Sequence, residues 1–164
     1  MIDYEFVNGN PADSQRHIVE VQANRQDSAA RQILFQLRDN AYSAIFCYNN
    51  GKIAGMITYS PICEEEGFQF TFIRNFGVLP SHTRKGIGRE LLERVKSVAN
   101  ETTGLIFACG VNSDAYTPLE QAKFEKVGVV KAGEEFEDRM YKWSELPEHK
   151  NNYHPSLNRM WTQC

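Results

Sequence analysis

The chain has 164 residues, of which 41% are hydrophobic and 12% aromatic, and a formal net charge of -3. That length suits one domain and that apolar content a full core, while the slight negative charge gives no broad cationic footprint, which argues against nucleic acid or an anionic membrane as partner. Cys47, Cys63, Cys109 and Cys164 are far apart, with no C-x-x-C and no His at ligand spacing, so no zinc or other metal site is expected and a reduced, cytoplasmic chain is the simplest reading. The opening MIDYEFVNGN lacks the basic-then-apolar order of a signal peptide, and no apolar run approaches the roughly 20 residues of a membrane span.

Taken in order, Ile2 to Val7 predicts a short strand, stopped by the turn formers Asn8-Gly9-Asn10-Pro11. Asp13 or Ser14 can cap a helix, and apolar points at Ile18, Val21, Ala29, Ile33, Leu34 and Leu37 predict two helices with a break near Asn24 to Ser28. Tyr42 to Tyr48 and Lys52 to Tyr59 are β-rich runs joined by Asn49-Asn50-Gly51, a hairpin signal. A loop from Pro61 to Gly67, with Glu64-Glu65-Glu66, leads to a strand from Phe68 to Val78 whose alternation puts Phe68, Phe70 and Phe72 on one face.

The stretch after Pro80 is the most informative. A charged turn, Ser81 to Lys85, is followed by Gly86-Ile87-Gly88 and a helix whose Ile87, Leu91, Leu92, Val95, Val98 and Ala99 share one face, with Arg89, Glu90, Glu93, Arg94 and Lys96 on the other. Unpaired backbone N–H groups and the positive dipole end make such a helix start an anion site, and glycine lets a phosphate approach it. The Gly-Lys-Ser/Thr of a P-loop is absent, and the third glycine of the dinucleotide fingerprint is Leu91. Thr103-Gly104 ends the helix, and Leu105 to Cys109 reads as a buried strand parallel to the one before it. Gly110 to Tyr116 reads as a loop, Thr117-Pro118-Leu119-Glu120 as a capping box, Ala122 to Val127 as the rest of a short helix ended by Gly128, and Val129 to Ala132 and Arg139 to Trp143 as strands around the acidic loop Gly133 to Asp138.

Phe76-Gly77-Val78-Leu79-Pro80 followed by Thr83-Arg84-Lys85-Gly86-Ile87-Gly88 resembles the acyl-CoA signature of the GCN5-related N-acetyltransferase (GNAT) family, in which a strand leads through Arg/Gln-x-x-Gly-x-Gly/Ala into a long helix. Thr83 stands where the family usually has Arg or Gln. A second segment, Ala122-Lys123-Phe124-Glu125-Lys126-Val127-Gly128-Val129, is similar to the family's A-x-x-Tyr-Glu-Lys-x-Gly-Phe. The element order agrees, so the resemblance implies an α+β GNAT fold with a mixed sheet of about seven strands flanked by about four helices over residues 1–146, and an extension over 147–164. Leu157, Met160 and Trp161 in that extension sit at helical spacing, as for a tail docked on the domain or a partner.

The function implied is direct transfer of an acetyl group from acetyl-CoA to a primary amine of a small molecule or protein. The alternatives are an acyl-CoA-binding regulatory module without turnover, or the same fold with glycines that only shape the chain. Backbone groups of Phe76, Gly77 and Val78 would hold the pantetheine arm, and those of Arg84, Lys85, Gly86, Ile87, Gly88 and Arg89 the pyrophosphate. Two catalytic positions depart from the family: its frequent acid, a Tyr, is here Phe124, and its acidic residue on the fourth strand is replaced by Ile73-Arg74-Asn75. Candidate replacements are Tyr116 and Asp114, His82, Glu64 to Glu66, and Asn75 as holder of a proton-relaying water; plainer roles are packing for Tyr116, a turn cap for Asp114 and solvation for the others. Arg74 could bind an acceptor's carboxylate or pair with a glutamate. Cys109 reads as a small core residue. The Phe-rich sheet and the tail raise the expectation of a homodimer.

Overall fold

The computed structural model describes residues 4–9, 43–79, 86–110, 113–132 and 137–145. The two helices expected over 13–37, the turn 80–85 and the extension 147–164 lie outside them. Seven strands form one mixed sheet in the order β1-β2-β3-β4-β5-β7-β6. The chain divides into two compact units, Met1–Tyr59 with Asn75–Leu91 and Ser60–Arg74 with Leu92–Cys164.

In the first unit, β1 (Tyr4–Gly9) pairs antiparallel with β2 (Ser43–Asn49). Asn8 and Gly9, read from sequence as a turn, stay in the strand opposite Ile45 and Ala44, because β2 offers ladder positions to both. β2 turns into β3 (Lys52–Glu65) through Asn50 and Gly51 at φ 51° and 79°. Two consecutive positive φ values are what a two-residue type I′ hairpin needs, so the Asn-Gly signal is borne out. Ala44, Phe46, Ile53 and Met56 form this unit's core, with Tyr48 and Leu79 packed against it.

In the second unit, Pro61 to Glu65 is not the expected loop but the end of β3. The Thr71 hydroxyl donates to the Pro61 carbonyl at 2.9 Å, and the run alternates, with Cys63 buried between exposed Ile62 and Glu64. The reversal is confined to Glu66 and Gly67 at φ 53° and 83°, a second hairpin turn that the proline and the acidic run disguised. Cys63 is disulfide-bonded while Cys47 and Cys109 are free thiols, which departs from the expectation of a wholly reduced chain.

β4 (Phe68–Val78) has the bounds its composition predicts. Thr71, Phe72 and Ile73 stand parallel to Ile106, Phe107 and Ala108 of β5 (Ile106–Gly110). Phe70 and Phe107 meet edge to face at 5.4 Å and 87°, a geometry worth about 0.5–1.5 kcal/mol beyond burial. With Cys63, Phe72, Leu105 and Met140 they form the second core, so these phenylalanines pack rather than present a platform.

α1 (Ile87–Glu101) buries Ile87, Leu91, Leu92, Val95 and Ala99 as its pattern requires. It ends where Gly104, at φ 71°, donates its N–H to the Ala99 carbonyl at 2.6 Å, a glycine C-cap. Lys96, placed by periodicity on the solvated face, is only 8% exposed.

α2 (Ser113–Gln121) starts earlier than the capping-box reading allowed, so the expected loop 110–116 is largely helix and Pro118 sits inside it. It also ends earlier: Lys123 takes φ 70°, and the Phe124 N–H closes on the Leu119 carbonyl at 3.0 Å. Glu125 to Gly128 therefore belong to β6 (Glu125–Ala132), and Gly128 marks a register shift in its pairing with β7 (Glu137–Trp143) rather than a helix end. Glu137 and Asp138, read as loop, pair with Ala132 and Lys131.

Candidate functional site

The end of β4 and the start of α1 belong to the first unit. Gly86, exposed at φ 81°, precedes the helix, and its carbonyl accepts the first intrahelical bond, from Glu90 N–H at 3.0 Å. By helix geometry the N–H groups of Gly86, Ile87, Gly88 and Arg89 precede that first bond. Among the described residues, none would come within 4 Å of a Cβ on Gly86. Gly88 has a different reason. A Cβ there would stand 3.0 Å from Phe76 Cζ and 3.7 Å from Val78 Cγ2, so its missing side chain lets β4's end pack on the helix.

Gly55 of β3 completes the arrangement. Its Cβ would lie 3.1 Å from both the Gly77 carbonyl and Ile87 Cγ2, and Leu79 N–H donates to the Ala54 carbonyl at 2.8 Å. Two glycines thus hold the helix start against β3 and β4. Sequence reading passed over Gly55, although an isolated glycine inside a strand pattern signals close backbone approach.

In the second unit, Arg74 is 6% exposed on β4. Its Nε donates to Ser60 Oγ at 3.1 Å, and its guanidinium carbon lies 5.1 Å from the Phe72 ring centre. Phe124, where the family often has its acid, is 4% exposed and tilted against Trp143 at 6.5 Å. Lys142 of β7 stands opposite Glu125 of β6; burial pushes its ammonium below the ordinary lysine range, and the Glu125 carboxylate partly restores it. Cys109 is half-buried.

Among the predicted site residues, Phe76 and Val78 are brought together with Gly88, and Gly77 with Ile87 beside Gly55. Asn75 lies in β4 and Asp114 and Tyr116 in α2, with their side chains outside the described residues. His82, Thr83, Arg84 and Lys85 lie outside them altogether. Arg89, Glu64 and Glu66 are exposed and Glu65 is half-buried. No group of three His, Cys, Asp or Glu able to hold a metal ion occurs among the described residues, and no described helix is long and apolar enough to cross a membrane.

A seven-stranded mixed sheet among the described residues, with a helix entered at left-handed Gly86 after its fourth strand, defines an α+β protein. Residues 12–119 match the profile of the acetyltransferase (GNAT) family. The chain belongs to that family and is an N-acetyltransferase by its fold and domain. The ribosomal-protein-S18-alanine N-acetyltransferase of Escherichia coli aligns with a TM-score of 0.69 at 15% identity, over 93% of this chain and 100% of that one. Arabidopsis thaliana NAA60 in complex with acetyl-CoA aligns at 0.67 and 15% identity, over 87% and 99%. A GNAT-family acetyltransferase structure from Desulfovibrio desulfuricans gives 0.66 at 20% identity, over 87% and 99%. No curated protein matches the chain.

Proposed function

We propose that the chain moves an acetyl group from acetyl-CoA directly to a primary amine of a small molecule or protein, within a ternary complex. The observation that carries this is the start of α1: four backbone N–H groups at Gly86 to Arg89 precede its first intrahelical bond, with no described residue within 4 Å of a Cβ at Gly86, which suits the pyrophosphate of acetyl-CoA. Arg84, Lys85 and Arg89 add positive charge there. Backbone groups of Phe76, Gly77 and Val78 suit the pantetheine arm, and a backbone N–H in that segment would polarise the thioester carbonyl as its oxygen gains charge.

In the transfer, the amine nitrogen bonds to the carbonyl carbon, the carbon–sulfur bond breaks, the attacking nitrogen loses its proton to a base, and the thiolate takes one up. An alkylammonium has a pKa of about 10.4 and a thiol about 8.5, so at neutral pH the base matters more. Phe124 has no proton to exchange. The candidate groups are Asn75, as holder of a relaying water, and Asp114 or Tyr116 of α2. Residues two apart on a helix take different faces, so Asp114 and Tyr116 are alternatives for one role rather than a pair.

Arg74 is the proposed acceptor contact, through a carboxylate on the substrate. Arg74→Ala should raise the acceptor's KM at least tenfold and leave that of acetyl-CoA unchanged; equal acceptor KM values would remove Arg74 from substrate binding.

The deciding experiment is thermal unfolding with acetyl-CoA, with CoA and without ligand, followed by CoA release on adding amines. Ligand at about 100 times its Kd adds about 2.7 kcal/mol, which at this size raises Tm by roughly 5–10 °C. No rise at millimolar acetyl-CoA would overturn the reading. A rise without CoA release from any amine would leave an acyl-CoA-binding module.

A further inference from the structure

The Lys96 ammonium lies on the predicted polar face of α1, yet the fold consumes it. Its Nζ donates to Glu93 Oε1 at 2.9 Å and to the Ala122 carbonyl at 2.5 Å. It also lies 5.1 Å from the centre of the Trp143 ring and 5.7 Å from that of Phe124. An ammonium has three N–H donors; two meet oxygen and the π faces take the rest of its charge. Glu93 is half exposed, at 48% of its side chain, so it adds little. The Ala122 bond is buried.

Ala122 is the first residue past α2. That helix has nine residues, a proline inside and no basic residue in its own last turn, so it is too short to persist alone and supplies no cation to its negative end from within that turn. The carbonyl that Lys96 reaches stands at that end, next to Lys123 in its left-handed conformation.

We infer that Lys96 is a positioning residue for acetyl transfer: as a C-cap supplied from α1, it fixes α2 and thereby the segment bearing Asp114 and Tyr116. The inference rests on the function proposed above only for its kinetic consequence; the cap itself does not depend on it.

The test compares wild type with Lys96→Met, which keeps the aliphatic stem, and Lys96→Arg, which keeps charge and donors. Hydrogen exchange over 113–124 should accelerate at least tenfold in Lys96→Met, less in Lys96→Arg, and stay unchanged in β1 and β2. With a turned-over amine, kcat of Lys96→Met should fall about 10²-fold, the scale of an ångström's misplacement, at an unchanged acetyl-CoA KM, with partial rescue by Lys96→Arg. Unchanged exchange in Lys96→Met overturns the cap. Faster exchange with unchanged kcat overturns the positioning role. If wild type turns over no amine, the proposed function fails and exchange alone decides the cap.

Discussion

Two places on α1, its start and Lys96, solve the same problem, what to do with polar groups beside packed β-structure, in opposite ways. At its start the groups are backbone N–H, two of the four residues are glycines, and no described residue would come within 4 Å of a Cβ on Gly86. Further along, the group is a side-chain ammonium, and the Ala122 carbonyl, Glu93 and two aromatic rings take it up inside the fold. Under the proposed function, the first arrangement serves the anionic pyrophosphate of acetyl-CoA. The second uses a charge internally, where burial would penalise it heavily without those partners.

The largest effect that would break this contrast comes from Gly88→Val. Its branched side chain meets the Phe76 ring at a point where a Cβ alone already stands 3.0 Å away. Acetyl-CoA affinity should drop at least 10²-fold, or about 2.7 kcal/mol, in titration calorimetry. If Gly88 served Phe76 alone, Gly88→Ala combined with Phe76→Leu would bind acetyl-CoA like wild type; retained weakness in the double variant would place the anion at the helix start.

Next in size, Lys96→Met leaves the buried Ala122 carbonyl without its donor, which should lower unfolding stability by about 1–3 kcal/mol in urea while acetyl-CoA binding persists. Gly86→Ala is third. Its new Cβ meets nothing, so only the left-handed backbone opposes it, at about 1–2 kcal/mol, and a Tm drop of a few degrees is expected together with weaker acetyl-CoA binding. A Tm drop at unchanged affinity would show that the space beside Gly86 holds no phosphate.

The smallest effect concerns a buried group that is neutral rather than charged. Burial pushes the Tyr59 phenol above its ordinary value of 10.0, against the lowering effect of its hydrogen bond to Ser43. Above about pH 10 the unfolded chain loses this proton first, so the folded state holds more protons and stability falls as pH rises. Tyr59→Phe should flatten that alkaline limb in a Tm-versus-pH series and leave the slope of the curve unchanged below about pH 9, with a pH-independent offset from the lost hydrogen bond to Ser43. An identical limb in both proteins would assign it to other groups.

Local chemistry that needs no partner was legible. The bounds of β4 follow from its aromatic run, the Asn50-Gly51 hairpin from its positive φ demand, and the buried stripe of α1 from its period. The sequence misled where a local signal had a tertiary competitor. Pro61 and three glutamates resemble a loop, yet β3 continues because Thr71 serves the Pro61 carbonyl and Cys63 is buried between exposed neighbours. Thr117-Pro118 resembles a helix start, yet α2 begins at Ser113. Gly128 resembles a helix end, yet it marks a register shift in a strand that had claimed Glu125 to Val127.

For the site, the sequence by itself determined the helix and the family pattern, because φ preferences and 3.6-residue periodicity act over a few neighbours. Only the tertiary structure decided that Gly55 and Gly88 are spaces for Ile87 and Phe76, that Arg74 leans on Ser60 and Phe72, and that Lys96 turns inward to Ala122. Those outcomes depend on residues distant in the chain meeting in space, 26 positions apart for Lys96 and Ala122, and no local pattern encodes which distant carbonyl or ring a long cationic side chain will find.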